Sequence, residues 1–121
     1  MSDDNGYAHF QSFRPAGEKE LFFPEFSAKL VCIHKDGEDC IMGEGKMEQL
    51  LFESVNCYGF RHAEAVLINQ DRIPKNWQKF VLVFKYDNKR VLCLYFITDG
   101  WYMGFKPLRE EFSRIHRFVS S

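Results

Sequence analysis

His62 and Glu64 are the residues whose types and spacing most directly suggest chemistry in this chain. The imidazole of a histidine can bind zinc, and a nearby carboxylate can move protons to and from a metal-bound water. The pair lies in the stretch CYGFRHAEAVLINQ, residues 57–70. A working site of this kind would need further ligands from elsewhere in the chain.

The tripeptide His62-Ala63-Glu64 resembles the His-x-Glu motif of zinc-dependent base deaminases. The resemblance implies that a helix begins near His62, that His62 binds zinc, that Glu64 shuttles protons, and that a downstream Pro-Cys-x-x-Cys turn adds two thiolates. The sequence has no such turn, and the only later cysteine, Cys93, lies in an apolar run. The alternative is that residues 60–68 form a strand with His62 and Glu64 on one face. We expect the strand.

A second set of charged residues, in the stretch DGEDCIMGEGK, resembles the acidic and lysine residues of metal-dependent nucleases. Such enzymes hold a divalent cation with carboxylates and use a lysine to position a water or to steady developing charge. The resemblance implies that Asp36 or Asp39, together with Glu44 and Lys46, would form the site. The other interpretation is a polar hairpin followed by the start of a helix, with Lys46 in solvent.

The four cysteines do not form a close Cys-x-x-Cys pair. Cys32 with His34, or Cys57 with His62, could provide a nucleophilic thiol and its base. A reactive thiolate needs an electropositive and partly exposed setting, whereas the neighbours of these cysteines are mostly apolar. We therefore expect free thiols that behave as small buried hydrophobic groups, and no metal or other cofactor.

Aromatic side chains are the other resource in the sequence. The stretch WYMGF, residues 101–105, is apolar in both alternating registers of a strand, so some of its side chains must face outward. Trp, Tyr and Arg are the residue types that most often anchor protein interfaces. The predicted contact residues for a partner are Trp77, Trp101, Tyr102, Phe105 and Arg109. The alternative is that an aromatic N-terminal arm covers these groups in a well-packed core.

Composition and charge restrict the classes of function. The 121 residues are 45% hydrophobic and 17% aromatic, which suffices for one compact domain. Lys plus Arg number 16 against 17 Asp plus Glu, so no global positive charge attracts nucleic acid or an anionic membrane. The acidic start MSDDNGYAHF has no apolar signal segment, and no run reaches the about 18 apolar residues of a membrane span. We therefore expect a cytoplasmic protein.

The first half of the chain mixes strand and helix patterns. Residues 1–6 are expected to be loose, and 7–27 to form an irregular, aromatic-rich arm packed on a sheet. KLVCIH and DCIM, residues 29–34 and 39–42, flank Asp36-Gly37 and predict a β-hairpin. A helix is predicted within residues 45–59, with Gly59 placed to cap its C-terminus.

The second half predicts a meander and a closing helix. Residues 79–105 contain three apolar runs separated by the turns DNK and TDG, which indicate three consecutive antiparallel strands. Residues 107–118 have Pro107 before the first turn, acidic residues near the start and arginines near the end, as in a C-terminal helix. The apolar stripe of that helix would consist of Leu108, Phe112, Ile115 and Val119.

Together these patterns predict an α+β fold with one domain over residues 1–121. The hairpin and the three-strand meander would form a twisted, mostly antiparallel sheet, with a helix between them in sequence and the C-terminal helix closing the fold. Because each catalytic set is incomplete, the predicted function is a small protein-binding domain without catalysis, such as an inhibitor, an immunity-type protein or an adaptor. It would act through the aromatic surface of the meander.

The predicted partner is another protein, not nucleic acid or a membrane, and a second copy of the chain could also pair through a sheet edge. The alternative hypothesis is a metal-dependent enzyme that acts on nucleic acid or nucleotides. Its catalytic residues would be His62 and Glu64, or Asp39, Glu44 and Lys46.

Overall fold

The structure is a computed structural model that describes residues 8–10, 25–32, 40–41, 57–87 and 89–120, with backbone only at 40–41. Its strands are β1 (Ala8–Phe10), β2 (Phe26–Cys32), β3 (Cys40–Ile41), β4 (Val81–Lys85), β5 (Arg90–Ile97), β6 (Gly100–Pro107), β7 (Phe112–Ser113) and β8 (His116–Ser120). The α-helix α1 spans Phe60–Ile68, and 3₁₀ helices follow at Gln70–Arg72 and Lys75–Lys79. No helix in these ranges is long and apolar enough to cross a membrane.

Six of the strands form one mixed sheet in the order β1-β2-β8-β4-β5-β6. Neighbouring strands are antiparallel except β4 and β8, which run parallel with Val83 beside Phe118. The short strands β3 and β7 form a separate antiparallel pair. The α+β class and the mostly antiparallel sheet are therefore confirmed, as are the three strands of the meander, β4, β5 and β6.

The predicted C-terminal helix is wrong, because residues 107–118 contain the end of β6, the strand β7 and the start of β8. β8 lies between β2 and β4, so both of its backbone edges are paired in the sheet. Phe118 and Val119 are both fully buried, in clusters on opposite faces of the sheet, whereas a helical stripe covers one face only. Ile115, a member of the predicted stripe, is exposed. The burial of β8 side chains on both faces of the sheet therefore stabilises a strand more than the helical spacing of the apolar residues stabilises a helix.

The predicted β-hairpin is replaced by long-range pairings. β2 lies between β1 and β8, with Leu30 opposite Val119. β3 pairs instead with β7, with Cys40 opposite Ser113. The predicted turn at Asp36-Gly37 lies outside the described residues.

The N-terminal predictions are tested only in part. The arm predicted at 7–27 contains β1 and the first two residues of β2, which pair with each other. Residues 1–6 and 42–56 lie outside the described ranges, and with them most of the helix predicted within 45–59. Gly59, predicted at the C-terminus of that helix, is the N-cap of α1.

Residues 60–68 form the helix α1, so our expectation of a strand there is wrong. The buried residues of α1 are Ala63, Ala65 and Val66, and Leu67 packs against the same cluster. Ala63, Val66 and Leu67 have the i, i+3, i+4 spacing of one helical face, whereas a strand would separate Val66 from the other two. Alanine also favours the helix, and its short side chain lets α1 lie close to β4, β5 and β6.

Two hydrophobic clusters cover the two faces of the sheet. The larger cluster lies under α1 and includes Trp77, Leu82, Phe84, Leu94 and Trp101. The smaller cluster lies on the opposite face and consists of Cys57, Val83, Val91, Cys93, Leu108, Phe112 and Phe118. Successive residues of β4 and β5 alternate between the two clusters. Whether a residue of these strands has an odd or an even number therefore tells which face of the sheet its side chain covers.

Candidate functional site

The candidate zinc ligand His62 lies among aromatic rings on the β2 side of α1. Its imidazole stacks on Tyr58, with ring centroids 3.9 Å apart and an interplanar angle of 14°, and meets Phe26 edge-on at 4.8 Å. Phe26 in turn stacks on Phe10 at 5.1 Å. We call Phe10, Phe26, Tyr58 and His62 the His62 cluster.

Tyr58 is the residue that fixes the His62 cluster to the sheet. Its backbone N–H donates to the Val119 carbonyl and its own carbonyl accepts from the Lys85 N–H, both at 2.9 Å, so it joins β8 to β4. Its hydroxyl donates to the Ser27 carbonyl at 2.8 Å, which holds the ring on which His62 stacks. The ring of His62 is therefore positioned from two sides, by α1 and by Tyr58.

Burial lowers the pKa of His62 below its usual value of 6.5, because the imidazolium loses solvation among these rings. The neutral ring suits stacking on Tyr58, and it is also the form that binds a metal. The pKa of His62 therefore fits either role, and the distinction rests on which other groups lie nearby.

The other groups of a deaminase-like site do not converge on His62 in the described part of the chain. Glu64 is two residues further along α1, and side chains at i and i+2 point to different sides of a helix. Cys93 lies in the cluster on the opposite face of the sheet. Among the described residues, no group of three or more His, Cys, Asp or Glu could hold a metal ion. The helix implied by the resemblance is present, but it brings no such ligand set together there.

The buried cysteines are unsuited to nucleophilic chemistry. Cys57 Sγ donates to the carbonyls of Tyr58 and Val83, each at 3.5 Å, and faces the cluster opposite α1. Burial raises the pKa of Cys57 and of Cys93 to about 12, so both stay protonated thiols at neutral pH. Cys32 is exposed, and its predicted partner His34 lies outside the described residues.

The nuclease-like set stays a prediction. Asp36, Asp39, Glu44 and Lys46 all lie outside the described residues. Within that stretch the structure describes only β3, which pairs with β7.

Two of the predicted contact residues belong to the core. Trp77 and Trp101 are 1% and 6% exposed and lie in the cluster under α1. Trp101 meets Phe96 edge-on at 5.6 Å, and its backbone N–H donates to Gln70 Oε1 at 3.3 Å. Neither indole therefore offers contact area to a partner.

The other predicted contact residues are on the surface. Tyr102 and Phe105 are 49% and 48% exposed, on opposite faces of β6, and Arg109 is exposed in the turn that follows. Tyr102 lies beside Tyr95 on the neighbouring strand, with ring centroids 6.2 Å apart. The structure thus separates the predicted set into two buried residues and three exposed ones.

Phe105 belongs to an exposed row of rings that we did not predict from the sequence. Its ring meets Tyr86 at 4.7 Å, and Tyr86 meets Phe60, the first residue of α1, at 5.9 Å. The guanidinium of Arg90 lies 4.6 Å from the ring centroid of Phe105 and 5.0 Å from that of Tyr86. We call Phe60, Tyr86, Arg90 and Phe105 the Tyr86 patch.

Asp87 holds the cation of the Tyr86 patch in place. Its Oδ2 lies 3.6 Å from Arg90 Nη2, and its Oδ1 accepts from the N–H groups of Lys89 and Arg90 at 2.8 Å. The hydrogen bond from the Lys89 N–H, together with that from Arg90 and its charge, lowers the pKa of Asp87. The turn between β4 and β5 therefore orients the guanidinium over the rings.

The Tyr86 patch depends on strand register and on α1. Phe105 lies opposite Leu92 and Arg90 opposite Pro107, which puts Arg90 and Phe105 on one face as diagonal neighbours. The pairing of Lys85 with Val91, continued by one residue, brings Tyr86 opposite Arg90. These contacts could have been inferred from the predicted meander, whereas the contact with Phe60 required the helix. No protein-family model, curated protein or solved structure matches the chain.

Proposed function

We propose that this protein is a small protein-binding domain that holds a partner protein through the Tyr86 patch and acts by binding, without catalysis. The observation that supports the proposal is the exposed row of rings formed by Phe60, Tyr86 and Phe105, with Arg90 lying across it. Aromatic residues and arginine are enriched in the energetically dominant parts of protein interfaces. An inhibitor, an immunity-type protein and an adaptor all work by such binding.

The Tyr86 patch is both open and ordered. Phe60, Tyr86 and Phe105 are 38%, 42% and 48% exposed. Single exposed apolar side chains are ordinary, but contiguous ones indicate an interaction surface. Because the rings contact one another and Asp87 holds Arg90, their side chains would lose little conformational freedom on binding, which favours affinity.

Arg90 indicates the chemistry of the partner. A guanidinium has five N–H donors in a fixed plane, so Arg90 can keep its contact with Asp87 and still bind a second carboxylate. The partner surface that fits the Tyr86 patch is therefore an apolar side chain that lies on the rings, with an aspartate or glutamate beside it. We place this binding in the cytoplasm, where an exposed thiol such as that of Cys32 stays reduced.

The proposal is tested by capture with the intact chain and with Tyr86→Ala, Arg90→Ala and Ile97→Ala variants. Ile97 is a matched control because it is 52% exposed and lies at the opposite end of β5 from Arg90. Proteins retained by the immobilised variants are identified by mass spectrometry, and calorimetry then measures the affinity of each purified candidate.

We expect one partner that wild type and Ile97→Ala retain equally and that binds Tyr86→Ala and Arg90→Ala at least about tenfold more weakly. A partner that binds all four chains with equal affinity would contradict the assignment of the Tyr86 patch. Unfolding curves check that the two patch variants remain folded under the conditions of the binding measurements.

A further inference from the structure

The outer edge of β6 carries backbone groups that point away from the sheet. Within the described residues, β5 is the only neighbour of β6. Leu108 N–H donates to the Lys89 carbonyl at 2.8 Å, in continuation of the register that places Gly100 opposite Ile97. Because hydrogen-bonded and non-hydrogen-bonded pairs alternate in an antiparallel ladder, even-numbered residues of β6 bond to β5 and odd-numbered residues point outward.

Among the described residues, only the middle of this edge has backbone groups left for pairing. The outward N–H of Trp101 already donates to Gln70 Oε1 at 3.3 Å, which agrees with the assignment of odd-numbered residues. Pro107 at the other end has no N–H to donate. Met103 and Phe105 remain: within the described part of the chain, the outward N–H of each donates no hydrogen bond and the outward carbonyl of each accepts none.

We propose that this edge pairs with the same edge of a second copy of the chain, antiparallel, about a two-fold axis at Gly104. In this register Met103 lies opposite Phe105 of the second copy, so each outward N–H meets an outward carbonyl. An axis at Met103 would need the N–H of Trp101, and an axis at Phe105 would need one from Pro107. The axis at Gly104 therefore uses the open groups and no others.

The side chains in this register are complementary. On one face the ring of Tyr102 lies opposite Lys106 of the second copy, which forms a cation–π pair. Lys106 is already held on that face, since its Nζ lies 5.0 Å from the ring centroid of Phe112. On the other face the thioether of Met103 lies against the ring of Phe105 of the second copy, a favourable sulfur–aromatic contact.

Gly104 suits the position on the axis. It would lie opposite its own copy, and the space above it is occupied by Tyr95, whose ring would lie 3.3 Å from a Cβ added at Gly104. Residues that complement their own copies across an axis are what a two-fold dimer requires. The dimer uses Phe105, which also belongs to the Tyr86 patch, but it does not use Tyr86 or Arg90. The proposal therefore goes beyond the proposed function and does not depend on it.

The charge at position 102 tests this register. Analytical ultracentrifugation of the full chain at about 10 to 500 µM protein compares wild type, Tyr102→Lys and Tyr102→Glu. We expect wild type to reach twice the monomer mass of 14.3 kDa. Tyr102→Lys should raise the dimer dissociation constant at least about tenfold, because two lysines would then face each other, whereas Tyr102→Glu should preserve or strengthen the dimer.

Two results would overturn the proposal. The first is a wild-type chain that stays monomeric over the whole concentration range, even if a partner protein pairs with β6 instead. The second is an equal weakening of the dimer by Tyr102→Lys and Tyr102→Glu. Circular dichroism establishes that both variants fold, as the 49% exposure of Tyr102 leads us to expect. The Tyr86→Ala variant separates the two proposals, since it should lose the partner protein and keep the dimer.

Discussion

The His62 cluster and the Tyr86 patch are two sets of aromatic rings, each with one basic side chain, and α1 contributes to both. In the His62 cluster, Phe26 contacts each of the other three rings, Phe10 is fully buried, and the hydroxyl of Tyr58 is hydrogen-bonded to the Ser27 carbonyl. In the Tyr86 patch, the rings remain about 40% to 50% exposed and Arg90 lies at the surface. The first set is packed within the fold, whereas the second stays accessible at the surface, and that exposure is the basis of the proposed binding.

The difference shows that residue types alone do not locate a site. His62 and Glu64 match a fragment of a catalytic motif, yet His62 is used for packing, and the described residues bring no metal-ligand group to it. Phe60, Tyr86, Arg90 and Phe105 match no motif and come from three separate parts of the sequence, yet they form one surface. Exposure and contact, not the identity of the residues, distinguish the two sets.

The largest effect is expected when the free energies of unfolding of Phe10→Ala and Tyr86→Ala are compared. Phe10 is 0% exposed, so its loss leaves a cavity and should cost about 3–5 kcal/mol of the free energy of unfolding. Tyr86 is 42% exposed, and its replacement should cost less than about 1 kcal/mol. Urea denaturation measures both. Equal losses would mean that the Tyr86 patch belongs to the core, which would remove the basis for a binding surface.

A smaller effect is expected from the hydroxyl group of Tyr58. Tyr58→Phe keeps the stacking on His62 but removes the hydrogen bond to the Ser27 carbonyl, and should cost about 1 kcal/mol. Tyr102→Phe is the matched control, because the ring of Tyr102 is half exposed at the surface, and it should change stability by no more than about 0.5 kcal/mol. A Tyr58→Phe variant as stable as this control would show that the His62 cluster does not depend on that bond.

The smallest effect is the pH dependence that His62 adds to stability. Its pKa is lowered in the folded protein, so the unfolded chain binds more protons and the stabilisation is complete above the usual value of 6.5. This stabilisation is lost as the pH falls from 6.5 towards the lower pKa of His62 in the folded protein. Unfolding free energies at several pH values should therefore fall more steeply with acid in wild type than in His62→Phe. Identical slopes would mean that the ring of His62 is not desolvated by the cluster.

The parts of the fold that were predicted correctly are those set by neighbours in sequence. The strands β4, β5 and β6 are joined by short turns, and their apolar runs are long enough to define each strand. β8 could not be found in this way, because its pairing with β2 and β4 joins residues far apart in the chain. α1 is nine residues long, and over so short a piece Val66, Leu67 and Ile68 favour a strand as strongly as the alanines favour a helix.

The candidate site was predicted in part for the same reason. Tyr102 and Phe105 were expected at the surface because both registers of β6 are apolar, and both are exposed. Trp77 and Trp101 were expected beside them, but indole rings are large enough to fill the space under α1, and they are buried there. Phe60 and Tyr86 were not expected, because their contact depends on where α1 begins relative to the end of β4.

The central position of β8 has a consequence for the order in which the protein can be made. Of the six strands of the main sheet, β8 is the last to leave the ribosome, and it joins the pair β1-β2 to the meander. Until His116–Ser120 is synthesised, β2 and β4 each present an unpaired edge to other nascent chains. The two parts of the sheet can therefore join only once β8 has been synthesised, and a ribosome stalled before His116 would leave one chain with two unpaired strand edges.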